Sequence, residues 1–137
     1  MARILSIDYG TKRVGLAVTD PLQIIANGLD TISTKEIFDF LKDYFSKEDV
    51  EQIVIGEPLH LDGNPTYVTP LVHELAEKLK KLYPDIKVVL QDERFTSVDA
   101  RRIIRESGAK KKKRQDKSLI DKVSAVLILQ DYLERIR

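Results

Sequence analysis

The chain has no cysteine, no tryptophan and only two histidines among its 137 residues. Without cysteine there are no disulfides, no thiolate zinc sites and no cysteine nucleophile. His60 sits in a glycine- and proline-bearing loop and His73 on a predicted helix surface, so no imidazole pair is offered for acid–base or metal work. No apolar run approaches the ~20 residues that a membrane span needs. The first such run is broken by Asp8 within a few residues, so no secretory leader is expected. These absences together predict a cytoplasmic protein with no membrane contact.

What is present describes a globular chain with a heavily charged surface, 42% hydrophobic and 33% charged. Its length suits one domain spanning 1–137, large enough to bury a core without covalent staples. The net charge of +1 conceals an asymmetry. Residues 94–122 carry eleven Lys and Arg against four Asp and Glu, a local excess of +7 that leaves −6 for the rest. Such a basic face addresses a polyanion. The run Lys110, Lys111, Lys112, Lys113, Arg114 is alternatively a solvated loop; contact with nucleic acid is the preferred reading.

Periodicity organises the chain. Residues 3–20 read as two strands joined by a tight connection at Gly10, whose freedom to take positive φ suits such a turn. A third strand is expected over 23–32. Ser33 with Glu36 forms a capping-box signature ahead of a helix carrying Ile37, Phe38, Leu41, Tyr44 and Phe45. Residues 51–56 form a short buried strand, followed by a loop containing Pro58 and Gly63. Thr69-Pro70 opens a helix whose core stripe is expected at Leu71, Leu75, Leu79 and Leu82. A strand from Ile86 ends in Gln91-Asp92-Glu93-Arg94; Thr96 and Asp99 then cap a helix that stops at Gly108. Ser118 and Asp121 open the last helix. The predicted fold is α/β: an antiparallel β1-β2-β3 meander, then parallel β-α-β-α-β crossovers, giving a five-stranded mixed sheet with helices on both faces.

The strands ending at Asp8, at Gly56 and at Asp92-Glu93 should run parallel. In open sheets of this kind the ligand site lies beyond their carboxyl ends. Asp8 alone could merely bond its turn, but here three strand ends bring a carboxylate, a glycine-rich loop and a carboxylate pair together. Clustered carboxylates raise one another's pKa unless a cation lies between them, and hard oxygen donors suit Mg²⁺ or Mn²⁺. Asp121 is a fourth acid, explicable by itself as the partner of Ser118 in a capping box.

The motifs Asp8-Tyr9-Gly10 with Lys12-Arg13-x-Gly15-Leu16-Ala17, Gly56-x-Pro58-Leu59, Asp62-Gly63, Asp92-Glu93-Arg94-Phe95-Thr96-Ser97 and Asp121-x-x-Ser124-Ala125-x-x-Ile128-Leu129-Gln130 resemble the YqgF/RuvX family over essentially the whole chain. The resemblance implies an RNase H-like fold and a bacterial nuclease of pre-16S rRNA 5′ ends, earlier described as a Holliday junction resolvase. It assigns the acidic triad to Asp8, the Asp92-Glu93 pair (Glu93 preferred) and Asp121, as catalytic groups and ligands of two metal ions. Glu57 and His60 depart from the family pattern, where an apolar residue and Asn are usual.

On that reading Lys12, Arg13, Arg94 and the run Lys110–Arg114 hold phosphates, while Gly10, Gly56, Pro58 and Gly63 shape the site. With Tyr9 and Phe95 the only aromatics near these motifs, little base stacking is expected. The expected partners are pre-rRNA or a DNA junction, with ribosomal precursor particles, for a monomer or weak homodimer. Two rival classes are a catalytically silent RNA-binding module and, through Asp8-x-Gly10 and Gly15, an actin-like sugar kinase or ATPase. The kinase class needs two such domains, and this chain has one.

Overall fold

A computed structural model of the protein describes residues 2–93, 102–103 and 117–137. Five strands, β1 (Arg3–Tyr9), β2 (Arg13–Thr19), β3 (Ala26–Ser33), β4 (Val50–Glu57) and β5 (Lys87–Asp92), form one sheet in the order β3-β2-β1-β4-β5. Pairing is antiparallel for β1 with β2 and for β2 with β3. It is parallel for β1 with β4 and for β4 with β5. This is the mixed α/β sheet expected from the alternation of strand and helix patterns. The three parallel strands are neighbours, so their carboxyl ends lie side by side.

Strand alternation sends successive side chains to opposite faces. Leu5 and Ile7 of β1, Val14, Leu16 and Val18 of β2, and Ile53 and Ile55 of β4 pack with helices α1 (Ile37–Lys47) and α2 (Thr69–Leu82). Ile4, Ala17 and Val54 pack on the other face against Ala125, Ile128, Leu129, Tyr132 and Leu133 of helix α3 (Lys117–Ile136). Both faces are apolar because both are covered. A polar tie fixes α3 across the sheet, where the buried Ser6 hydroxyl donates to the Ala125 carbonyl over 2.6 Å. None of the described helices is long and apolar enough to cross a membrane.

Local chemistry overrides several boundary expectations. Strand β3 begins at Ala26, not at 23, because the Asp20 carboxylate accepts from the backbone N–H groups of Leu22, Ile24 and Ile25 at 3.0, 2.9 and 2.7 Å. That gathers the chain into a loop with Gln23 at φ 59°. The Ser33 capping box does not form. Ser33 still pairs with Arg13 in the sheet, a 3-10 turn (Thr34–Glu36) intervenes, and no side chain caps α1.

The buried stripe of α2 is Thr69, Val72, Leu75, Ala76 and Leu79. Leu71 and Leu82 of the predicted stripe are exposed, at 39% and 57%. The true stripe is centred one residue later, because Val72 and Ala76 share the face of Leu75 and Leu79. The expected helix after Thr96 and Asp99 lies outside the described residues except for helical Arg102 and Ile103.

Candidate active site

Strand parity decides which acids meet. Asp8 follows Ile4 and Ser6 on the α3 face of β1. Glu93 follows Val89 on the same face at the end of β5, so Asp92 belongs to the opposite face. The backbone N–H of Glu93 donates to the Glu57 carbonyl at 3.2 Å, continuing the β4–β5 ladder one residue past the strand. Registry thus brings Glu93, and not Asp92, to Asp8.

Two glycines make room for this meeting. A Cβ on Gly56 would stand 2.8 Å from the Glu93 carboxyl group and 2.6 Å from Ile128 Cδ1. Gly15, paired with Asp8 across β1 and β2, lies directly under the Asp121 backbone, where any side chain would collide with the carbonyl oxygen. The bare backbone at Gly15 therefore lets the first turns of α3 settle onto β2 and carry Asp121 to the rim. Gly10 serves differently from expectation. Its φ is not positive; instead its N–H donates to the Arg13 carbonyl at 2.9 Å, and a Cβ there would crowd that oxygen at 2.7 Å. Thr34 pins the same turn, its hydroxyl donating to the Gly10 carbonyl at 2.7 Å and its N–H to the Lys12 carbonyl at 3.1 Å.

The electrostatics at Asp8 are strongly perturbed. Burial first, then the negative charge of Asp121, push the Asp8 pKa up to about 7, with a hydrogen bond from Glu93 and the Arg13 charge opposing. Burial and the charge of Asp8 push Glu93 up to about 10. A hydrogen bond between two carboxyl groups requires a proton, and these shifts assign it to Glu93, which donates to Asp8.

Asp121 accepts from Arg13 Nε at 2.7 Å. Among the described residues helix α3 already includes Lys117, so Ser118 lies inside the helix and Asp121 beyond its first described turn, and the expected capping box does not account for Asp121. The Arg13 ion pair does.

A cleft of about 340 Å³ opens over this end of the sheet, lined by Asp8, Gly10, Thr11, Lys12, Arg13, Tyr67, Val68 and Asp121. Among the described residues no three Asp, Glu or His side chains form a cage for a metal ion. The Asp8–Glu93 pair nevertheless fits one by its chemistry: two hard carboxylates held together by a proton offer the same place to a divalent cation. Pro58 and Gly63 belong to the loop between β4 and α2, where Gly63 takes φ 90° and the Pro58 carbonyl accepts from the Thr69 hydroxyl. His73 contacts Glu57 at 2.6 Å on an exposed flank. Arg94 and the run Lys110–Arg114 lie outside the described residues.

Tyr67, Val68 and Thr11 also line the cleft, beyond the residues expected from the sequence; the signal for Tyr67 is an aromatic side chain stranded among polar and proline residues. Tyr9, beside Asp8 in sequence, packs against the core on the α1–α2 face and does not line the cleft.

The model of the family described as "RuvX: Holliday junction resolvase" matches residues 2–135. A protein of Flavobacterium johnsoniae named "Putative pre-16S rRNA nuclease" is 52% identical over 137 residues, covering 100% of this chain and 99% of that one. One of the same name from Porphyromonas gingivalis is 51% identical over 134 residues, covering 98% and 97%. Among solved structures, "YeaZ from Pseudomonas aeruginosa" aligns with a TM-score of 0.47 at 16% identity, over 80% of this chain and 50% of that one. A family match from end to end, with relatives of equal length at half identity, makes this chain a member of the RuvX family.

Proposed function

We propose that this chain is a metal-dependent nuclease that hydrolyses phosphodiester bonds at the 5′ end of pre-16S rRNA. The name carried by its half-identical relatives supports the substrate. The observation that carries the chemistry is the hydrogen-bonded Asp8–Glu93 pair at the carboxyl ends of the parallel strands β1 and β5, which flank β4, with Asp121 at its rim. Asp8, Glu93 and Asp121 are the proposed catalytic groups and would hold Mg²⁺ or Mn²⁺, with Asp92 set aside on the opposite face. When bound, such ions supply Lewis acidity at the scissile phosphate and a water more acidic than bulk.

The remaining residues act on the substrate strand. Lys12 is exposed on the cleft wall and offers its ammonium to a flanking phosphate. Arg13 is held by Asp121, which fixes its guanidinium at the cleft edge for the same use. Arg94 and Lys110–Arg114, outside the described residues, are suited to phosphates by their charge alone. Asp8 and Glu93 are half-buried, with Asp8 open to the cleft, so water screens their charges less than at the free surface. In this reading the chain is one nuclease domain acting in the cytoplasm on nucleic acid within ribosomal precursor particles, as a monomer or weak homodimer.

The family description names a different substrate, a DNA junction. Incubating 5′-extended pre-16S rRNA and a four-way DNA junction side by side separates the two. Trimming of the RNA in Mg²⁺ or Mn²⁺, lost in EDTA, with the junction left whole, is the expected result. A cut junction with intact RNA would overturn the substrate, and unchanged cleavage in EDTA would overturn the metal dependence.

A further inference from the structure

We infer that Tyr67 is a stacking platform for an unpaired nucleobase, so that the Asp8 cleft takes single-stranded nucleic acid. This rests on the nuclease reading above and names the form of its substrate. Tyr67 is 80% exposed, more than any other large hydrophobic side chain among the described residues. It stands in the wall of the same cleft as Asp8, Lys12 and Arg13, so an aromatic face and two cations border one carboxylate site.

Its backbone is already fixed. Thr69 Oγ1 accepts from the Thr66 N–H at 2.9 Å and donates to the Pro58 carbonyl. Thr66 Oγ1 accepts from the Val68 N–H at 3.2 Å, which brackets Tyr67 on both sides. Upstream, the loop closes on itself through the Leu59–Pro65 bridge and through the Asp62 carboxylate, which accepts from the Asn64 N–H at 2.9 Å. A ring mounted on so constrained a segment loses little freedom when a partner covers it.

The chemistry of the partner follows from what borders the ring. Lys12 and Arg13 attract phosphates, and a strand drawn across them brings its bases to the neighbouring wall. A base inside a duplex has both faces covered by its neighbours, whereas an unpaired base offers one to an aromatic side chain. Every base has such a face, so Tyr67 selects strandedness and not sequence.

The test measures binding in the Asp8→Asn background, which leaves the RNA uncut, by fluorescence anisotropy of a short labelled RNA, single-stranded or annealed to its complement. Adding Tyr67→Ala should weaken single-strand binding about ten-fold and duplex binding less than about two-fold, while Tyr67→Phe keeps binding within about two-fold. Equal melting temperatures confirm that the exposed position leaves the fold intact. Unchanged single-strand affinity in Tyr67→Ala, or equal losses for single strand and duplex, would overturn the stacking role and leave the nuclease reading standing. Failure of the Asp8→Asn protein itself to bind any RNA would overturn that reading, and this inference with it.

Discussion

Asp8→Asn should reduce divalent-metal-dependent cleavage at least about 100-fold, because loss of groups that merely support a metal ligand already costs 10–100-fold. The substitution keeps the shape of the side chain and its ability to share a hydrogen bond with Glu93, so the fold should persist. Stability supplies a second readout. Both carboxyl groups have raised pKa values, Asp8 to about 7 and Glu93 to about 10. The folded metal-free protein therefore binds more protons than the unfolded chain above their ordinary range near pH 4. Their contribution to stability is complete below that range and is lost as pH rises through 7 and on toward 10. Asp8→Asn should accordingly match the wild type in thermal unfolding at pH 4 and exceed it at pH 8. A variant fully active in Mg²⁺ would remove Asp8 from the chemistry.

Asp121→Asn and Asp121→Glu should each lower turnover roughly 10–100-fold. Asp121 both raises the Asp8 pKa and holds Arg13 at 2.7 Å, so it ties the carboxylate site to the phosphate-facing cation. Asn removes the charge that orients the guanidinium. Glu keeps the charge but displaces it by a methylene, more than a tight oxygen-ligand site tolerates. A residue that served only its own helix would give another pattern: a small loss of stability for Asn, silence for Glu and no change in rate. Steady-state kinetics on both variants, beside their unfolding curves, distinguish these outcomes. A fully active Asp121→Glu enzyme would count decisively against a role at the site.

Much of this arrangement is legible in the sequence itself. Apolar runs punctuated by Gly and Pro marked the strands, and the β-α-β spacing made three of them parallel, which fixed where their carboxyl ends met. The choice between Asp92 and Glu93 was not legible, because a one-residue change of register exchanges the two faces of a strand. Pairing of Glu57 with Asp92 resolves it. Asp121 was ambiguous for a related reason: its sequence neighbourhood offered Ser118, whereas its actual partner, Arg13, is 108 residues away. The start of β3 depended on three hydrogen bonds gathered by Asp20, a choice between loop and strand that apolar pattern does not encode. Tyr67 is held by threonine hydrogen bonds local to residues 66–69, a loop geometry that apolar pattern does not encode.

On the proposed chemistry the Asp8–Glu93 pair exchanges its proton for a divalent cation. Calorimetric titration of Mn²⁺ into the metal-free protein at pH 7, repeated in buffers of different ionisation enthalpy, measures binding and proton release together. With Glu93 protonated at that pH and Asp8 near half-protonation, ion binding should release at least about one proton per site, and release should fall as pH approaches 10. Asp8→Asn should suppress the binding heat. Binding without proton release at pH 7, or equal binding by Asp8→Asn, would place the ion elsewhere and remove the Asp8–Glu93 pair from the chemistry.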